Sequence, residues 1–168
     1  MGRNIIVQAA QWKCSGASVT GNSHEVNGIE CQDVWTKYVY QNVIAVCICD
    51  GAGSAKHSRI GAEITSKIVT QWLAVFFDEA FGKPLGVFVT VHTEIISALC
   101  NKATELQCEL QELSCTLVAV AVDNAGRYVY WHLGDGGIIT RCDNELRVLS
   151  TPQKGDYANE TYFVTKKT

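Results

Sequence analysis

The chain has 168 residues, 47% of them apolar and 18% charged. That length suits one domain, 1–168, with a core that needs no staples, and the composition excludes a disordered polymer. Fourteen Lys and Arg stand against seventeen Asp and Glu, a net charge of −3, and no basic run occurs, so nucleic-acid binding through a basic surface is excluded. The longest apolar runs fall short of a membrane span, so no membrane partner is expected. Met1-Gly2-Arg3-Asn4, followed by a stretch broken at Gln8, Gln11 and Lys13, makes a poor export signal. A cytoplasmic location is therefore expected, with the eight cysteines as free thiols. Where they fall in apolar runs, as in Val46-Cys47-Ile48-Cys49, they should pack as small hydrophobes.

The first half reads as strands. Ile5 to Thr20 is rich in Val, Ala and Ser and ends at Gly21-Asn22. Asp33 to Tyr40 alternates large and polar residues, Gln41-Asn42 turns the chain, and Val43 to Cys49 is continuously apolar. So short a turn predicts a hairpin, and a run apolar on both faces predicts a central strand. Two helices follow. Between Arg59 and Phe77, residues Ile60, Ile64, Ile68, Trp72 and Phe76 recur every four positions, with Ser58 placed to cap the start. Gly82-Lys83-Pro84 breaks the pattern, and a second helix runs from about Leu85 to Leu110 on a stripe of Val91, Ile95, Leu99, Ala103, Leu106 and Leu110. Strands return at Cys115 to Val122 and Arg127 to Leu133, joined by Asp123-Asn124-Ala125-Gly126. Ile138 to Arg141 and Glu145 to Leu149 follow, on either side of Cys142-Asp143-Asn144. Strands, two long helices, then strands imply an α+β fold with helices packed on an antiparallel sheet and a second sheet behind it.

Three acids stand where a strand ends or begins beside a turn. Asp50-Gly51-Ala52-Gly53 follows the central strand, where a carboxylate on a rigid element and a glycine carbonyl suit a cation. Gly134-Asp135-Gly136-Gly137 follows another apolar strand, and Gln32-Asp33 leads into the first hairpin. Gathered at one place, such carboxylates repel one another and recruit divalent metal, and oxygen-only ligands favour Mg²⁺ or Mn²⁺ over zinc. No G-x-x-x-x-G-K-[ST], G-x-S-x-G or H-E-x-x-H motif offers a competing chemistry.

In this order, five stretches resemble the metal-dependent protein phosphatases of the 2C type in their bacterial form. They are Gly21 through Asp33, Cys49 through Gly61, Ser114-Cys115-Thr116, Leu133-Gly134-Asp135-Gly136 and Tyr157 through Thr165. The resemblance implies a β-sandwich flanked by helix pairs (α-β-β-α) with a two-metal Mg²⁺ or Mn²⁺ site at one end and a third, weaker ion. Asp50 would bridge both ions, Gly51 would lend its carbonyl, Asp33 would orient a water, and Asp135 would help hold the third ion. The activity implied is hydrolysis of phosphoserine or phosphothreonine in a phosphoprotein by an activated water, with no cysteine nucleophile.

The departures from the family pattern are specific. Gln32 stands where members often carry Glu, and Ala52 where animal members carry a His proton donor. No phosphate-binding Arg is evident: Gly28 has the nearest spacing, His24 is a stand-in, and His57 and Arg59 follow the Asp-Gly loop. The family continues past Thr168 into strands bearing two further metal-binding acids. On this reading the domain is C-terminally incomplete, and its open sheet edges would favour self-association. The competing reading is a catalytically impaired, phosphatase-like binding or regulatory module.

Overall fold

The computed structural model describes residues 12–21, 28, 30–153 and 161–166. Strands β1 (Val34–Tyr40) and β2 (Val43–Cys49) form a hairpin in register from Val34↔Cys49 to Tyr40↔Val43. Its two-residue turn puts Gln41 at φ 50. β3 (Leu117–Asp123) pairs with β2, and β4 (Tyr128–Leu133) with β3. The result is one antiparallel sheet in the order β1-β2-β3-β4, with the apolar run β2 inside it as its composition requires. β5 (Ile138–Cys142) and β6 (Glu145–Ser150) form a separate two-stranded sheet. Their turn residues Asp143 and Asn144 both lie at positive φ, the geometry that matches strand twist in tight hairpins.

Between β2 and β3 come α1 (Ser58–Val75), the short α2 (Phe77–Gly82), α3 (Pro84–Leu106) and a 3₁₀ turn, Leu110–Leu113. The helices cover one sheet face. Ala45, Cys47, Cys49, Leu117, Ala119 and Ala121 from the sheet share a core with Val69 and Leu73 of α1 and Val91, Ile95 and Leu99 of α3. The class is α+β with antiparallel sheets, as expected.

Several details differ from the sequence reading. Residues 12–20 form no strand, and the earlier part of the expected first strand lies outside the described residues. Among the described residues there is one helix layer rather than two, and the second sheet is a two-stranded ribbon. The expected apolar stripe of α1 is only flanking. Ile60, Ile64, Ile68 and Trp72 are half-buried, whereas Gly61, Ala62, Thr65, Ser66, Val69, Thr70 and Leu73 face the core. Small residues won the inner face because the sheet beneath is itself lined with Ala and Cys, so the helix sits close. Ser58 does not cap α1; it is the first helical residue and its hydroxyl is turned inward.

By length and composition α3 is apolar enough to cross a bilayer, unlike the expectation from its runs, yet Val91, Ile95, Leu99 and Ala103 are packed in the core. All eight cysteines are unpaired, and Cys47, Cys49 and Cys115 are buried.

The β3–β4 turn is locked by Asp123. Its carboxylate accepts from the backbone N–H groups of Ala125 and Arg127, each at 2.9 Å, and from Arg127 Nε at 2.7 Å. Burial opposes the charge, but the Arg127 and Ala125 hydrogen bonds outweigh it and hold the carboxyl below its usual range. Arg127 reaches on to Asp78 at 2.8 Å and lies over the Phe77 and Phe81 rings, tying the turn to α2. Replacing Asp123 by Ala orphans three donors at once and is expected to cost about 2 kcal/mol, read as a lowered urea midpoint. The depressed pKa makes this contribution present above the unfolded value of 3.8. It is lost as pH falls through the lower folded value, so the wild-type and variant midpoints should converge in strong acid.

Candidate metal centre

The site is built at the end of the central strand. β2 delivers Asp50 to the sheet rim, and the chain continues one residue further in pairing, as Gly51 bridges Cys115. That bridge is made by Ala52 N donating to Ser114 O at 2.9 Å and Thr116 N donating to Asp50 O at 2.8 Å. In antiparallel pairing the groups of the intervening residue then point the other way. Gly51 N accordingly donates to Gln32 O at 3.3 Å, and among the described residues no hydrogen bond ends on the Gly51 carbonyl. An unspent carbonyl beside an acid is a ready oxygen ligand.

Gln32 and Asp33 lead directly into β1, whose Val34 opposes Cys49, so the hairpin register sets Asp33 beside Asp50. Their carboxyl groups lie close enough that a proton held by Asp50 can be shared with Asp33. Asp135, in the turn after β4, is near enough for its charge to act on the same group. Burial first, then the hydrogen bond and charge of Asp33, then the charge of Asp135, raise the Asp50 pKa to about 6. Asp33 and Asp50, distant in sequence, therefore lie together at this rim, and Asp135 is near enough for its charge to be felt there. With no cation between them they resist ionising together.

The turn that carries Asp135 lies on a close-fitting floor. A Cβ on Gly134 would stand 2.7 Å from Thr116 Cγ2, and one on Gly136 would stand 2.5 Å from Val118 Cγ2. Gly134 is at φ +115, which glycine alone adopts without strain, and its carbonyl accepts from Gln153 N at 2.7 Å. His132 contributes from below: Nδ1 is 2.5 Å from Ser150 Oγ, and Nε2 is buried without a hydrogen-bond partner.

Gly51 is wedged equally tightly, since a Cβ there would meet Ser58 Oγ at 2.8 Å and Gln32 Cβ at 3.0 Å. Gln32 Oε1 and Ser58 Oγ are both buried and unpartnered. Among the described residues no three His, Cys, Asp or Glu side chains alone close around a point where an ion could sit. The donors on offer are instead carboxylates, one open carbonyl and an unpartnered amide oxygen. That all-oxygen set fits a hard divalent cation that keeps some of its water.

The family model described as protein phosphatase 2C matches residues 20–168. The chain belongs to that family. It is 26% identical over 163 residues to serine/threonine-protein phosphatase 3 of Escherichia coli (strain K12), an alignment covering 92% of this chain. The chain spans 63% of that relative's length.

In this phosphatase 2C chain the phosphate-side residues fall out differently from the acids. His24 lies outside the described residues. Arg59 is engaged by Glu63 at 3.1 Å, Glu30 at 3.4 Å and the Cys31 carbonyl at 2.8 Å, so it ties the approach to Asp33 onto α1. His57 lines a cavity of about 630 Å³ with Lys56, Cys100, Cys108 and Glu109, a wall separate from the acid cluster. The Cys115 thiol is pushed well above its usual pKa by its hydrogen bond with Cys49 and by burial, which keeps it neutral and a poor nucleophile.

Sequence reading overlooked His132 and Ser58. A lone polar ring inside the apolar strand Tyr128–Leu133 was the available sign for the first. Ser58 gave none, because a serine at a helix start reads as a cap.

Proposed function

We propose that this chain carries the metal-binding centre of a serine/threonine protein phosphatase that hydrolyses phosphoserine or phosphothreonine in phosphoproteins with Mg²⁺ or Mn²⁺. The observation that carries the reading is the adjacent Asp33–Asp50 carboxyl pair set by the hairpin register, beside a Gly51 carbonyl with no hydrogen bond among the described residues and with the charge of Asp135 bearing on it. Asp50 and Gly51 would hold the catalytic ions, and Asp135 a weaker third. The ions, when bound, lower the pKa of water and neutralise phosphoryl charge.

The protein's own part is placement. Asp50 is held by β2 and by hydrogen bonds at both its N–H and its carbonyl, so its backbone is fixed and only its side-chain torsions remain to place the carboxylate. Asp33, in contact with Asp50, would accept a hydrogen bond from the attacking water and aim it at phosphorus. With Ala52 in place of a His donor, a solvent proton would serve the leaving serine or threonine oxygen. The neutral, buried Cys115 thiol argues against its serving as a nucleophile, so direct in-line attack by water is the step proposed.

A second reading, binding without turnover, is favoured by the neutral amide of Gln32, which cannot supply a charged ligand.

Hydrolysis of p-nitrophenyl phosphate and of a phosphothreonine peptide, with and without Mn²⁺, separates the two. The phosphatase reading expects turnover that rises with Mn²⁺ or Mg²⁺ and disappears in excess EDTA. Turnover indifferent to EDTA would reject the metal centre, and Mn²⁺ binding without hydrolysis would select the binding module.

A further inference from the structure

Thr116 is in contact with both loops that bring acids to the rim. It is buried, 5% exposed, at the point where the chain enters β3. Its Oγ1 accepts a hydrogen bond from Asp50 N at 3.0 Å, while its own N–H donates to Asp50 O at 2.8 Å. Asp50 is thus held at both of its backbone polar groups by one residue. The other branch of the same side chain lies under Gly134, where a Cβ would come within 2.7 Å of Cγ2 and 2.8 Å of Cβ. Gly134 directly precedes Asp135. Only a β-branched residue with one oxygen and one methyl supplies both contacts. Valine lacks the acceptor and serine lacks the methyl.

We infer that Thr116 is a positioning residue: its hydroxyl fixes the Asp50 backbone while its methyl supports the Asp135 turn, setting the spacing of the two carboxylates. The inference rests on the metal-centre reading above. The reason spacing matters is that ion affinity follows how well ligand oxygens are preorganised, since like-charged carboxylates left to themselves move apart. A buried N–H on Asp50 without its acceptor would also have to find another partner, and the shift needed would carry the carboxylate with it.

Thr116→Val and Thr116→Ser divide the two branches. Valine keeps the methyl under Gly134 and removes the acceptor for Asp50; serine does the reverse. Three quantities are read on the whole chain: the Mn²⁺ dissociation constant by titration calorimetry, amide hydrogen exchange at Asp50 without metal, and the urea midpoint. For Thr116→Val the expected result is an Asp50 amide that exchanges at least tenfold faster and Mn²⁺ binding weakened tenfold or more. For Thr116→Ser it is wild-type protection at Asp50, with Mn²⁺ binding weakened three- to fivefold through the Asp135 turn, clearly less than in Thr116→Val. Rescue by serine of what valine loses is the result that a purely space-filling role would not give.

Wild-type Mn²⁺ affinity in Thr116→Val would overturn the inference and leave the metal-centre reading standing. So would equal losses of affinity in both variants that track their urea midpoints. Absence of Mn²⁺ binding in the wild-type chain itself would overturn that reading and the inference together.

Discussion

Replacing Asp50 by Asn should abolish turnover and at the same time make the metal-free protein more stable. The two effects have one origin. Asp50 is the residue on which burial, the Asp33 contact and the Asp135 charge converge, and its pKa is raised to about 6 for that reason. In the role proposed above it would supply an ion with negative charge that Asn cannot, so on that reading a loss of hydrolysis on the order of 10²- to 10³-fold is expected.

In the empty protein the same charge is a liability. A carboxyl with a folded pKa near 6 and an unfolded value of 3.8 binds protons more tightly when folded. Wild-type stability should therefore fall as pH rises from about 4 through 6 and stay lower above that. Asn carries no such penalty. The variant should unfold at higher urea concentration than wild type at pH 7.5 in EDTA, with the difference gone by pH 4. Added Mn²⁺ should reverse the order by stabilising only the wild type. An Asn variant that hydrolyses substrate normally, or that is less stable than wild type in EDTA at neutral pH, would remove Asp50 from the centre of the site.

The largest expected stability loss lies one helical turn into α1. A Cβ on Gly61 would fall 1.9 Å from the Leu113 carbonyl oxygen and 2.7 Å from its carbon, both backbone atoms that no rotamer change can move. Gly61→Ala must therefore push α1 away from the 3₁₀ turn. The turn cannot simply retreat, because Lys56 N donates to Glu112 Oε2 at 2.8 Å, His57 N to Glu112 O at 2.9 Å and Ala52 N to Ser114 O at 2.9 Å. Those bonds brace the segment that leaves Asp50, so the strain reaches the site as well. A loss of about 3 kcal/mol or more is expected, at the upper end for overpacking, measured from urea unfolding. Gly53→Ala is the control. Its Cβ would meet nothing within 4 Å, and the cost there should stay within about 0.5 kcal/mol. Similar midpoints for the two variants would mean that α1 does not approach Leu113 as closely as described.

The contrast between these two glycines marks the boundary of what a sequence can reveal. Gly53 sits in an Asp-Gly-x-Gly run and draws the eye; Gly61 sits inside a helical pattern and looks incidental. Only the packing of α1 on Leu113 makes the second indispensable. Helix α1 gives the same lesson in its side chains. The four-residue recurrence of Ile60, Ile64, Ile68 and Trp72 marked a helix correctly but the wrong inner face, since periodicity reports that a stripe exists and not what lies beneath it. A sheet lined by Ala45, Cys47, Ala119 and Ala121 admits Gly, Ala, Thr and Val close to it and leaves larger residues at the flanks.

The strands from Val34 to Ser150, the hairpin turns and the α+β class were legible in the order of residues, and Asp33, Asp50 and Asp135 could be named as candidates, because alternation, turn chemistry and strand-end acids are local properties. The nearness of Asp33 to Asp50 is not local. It required the β1–β2 register to set Asp33 against Asp50, the Gly51–Cys115 bridge to turn the Gly51 carbonyl away from β3, and Thr116 to lie beneath both Asp50 and Gly134. Local patterning determined which residues were available for chemistry, and long-range pairing decided their mutual distances. Electrostatic coupling falls off with separation, so distance is what makes the carboxyl of Asp50 respond to Asp33 and Asp135.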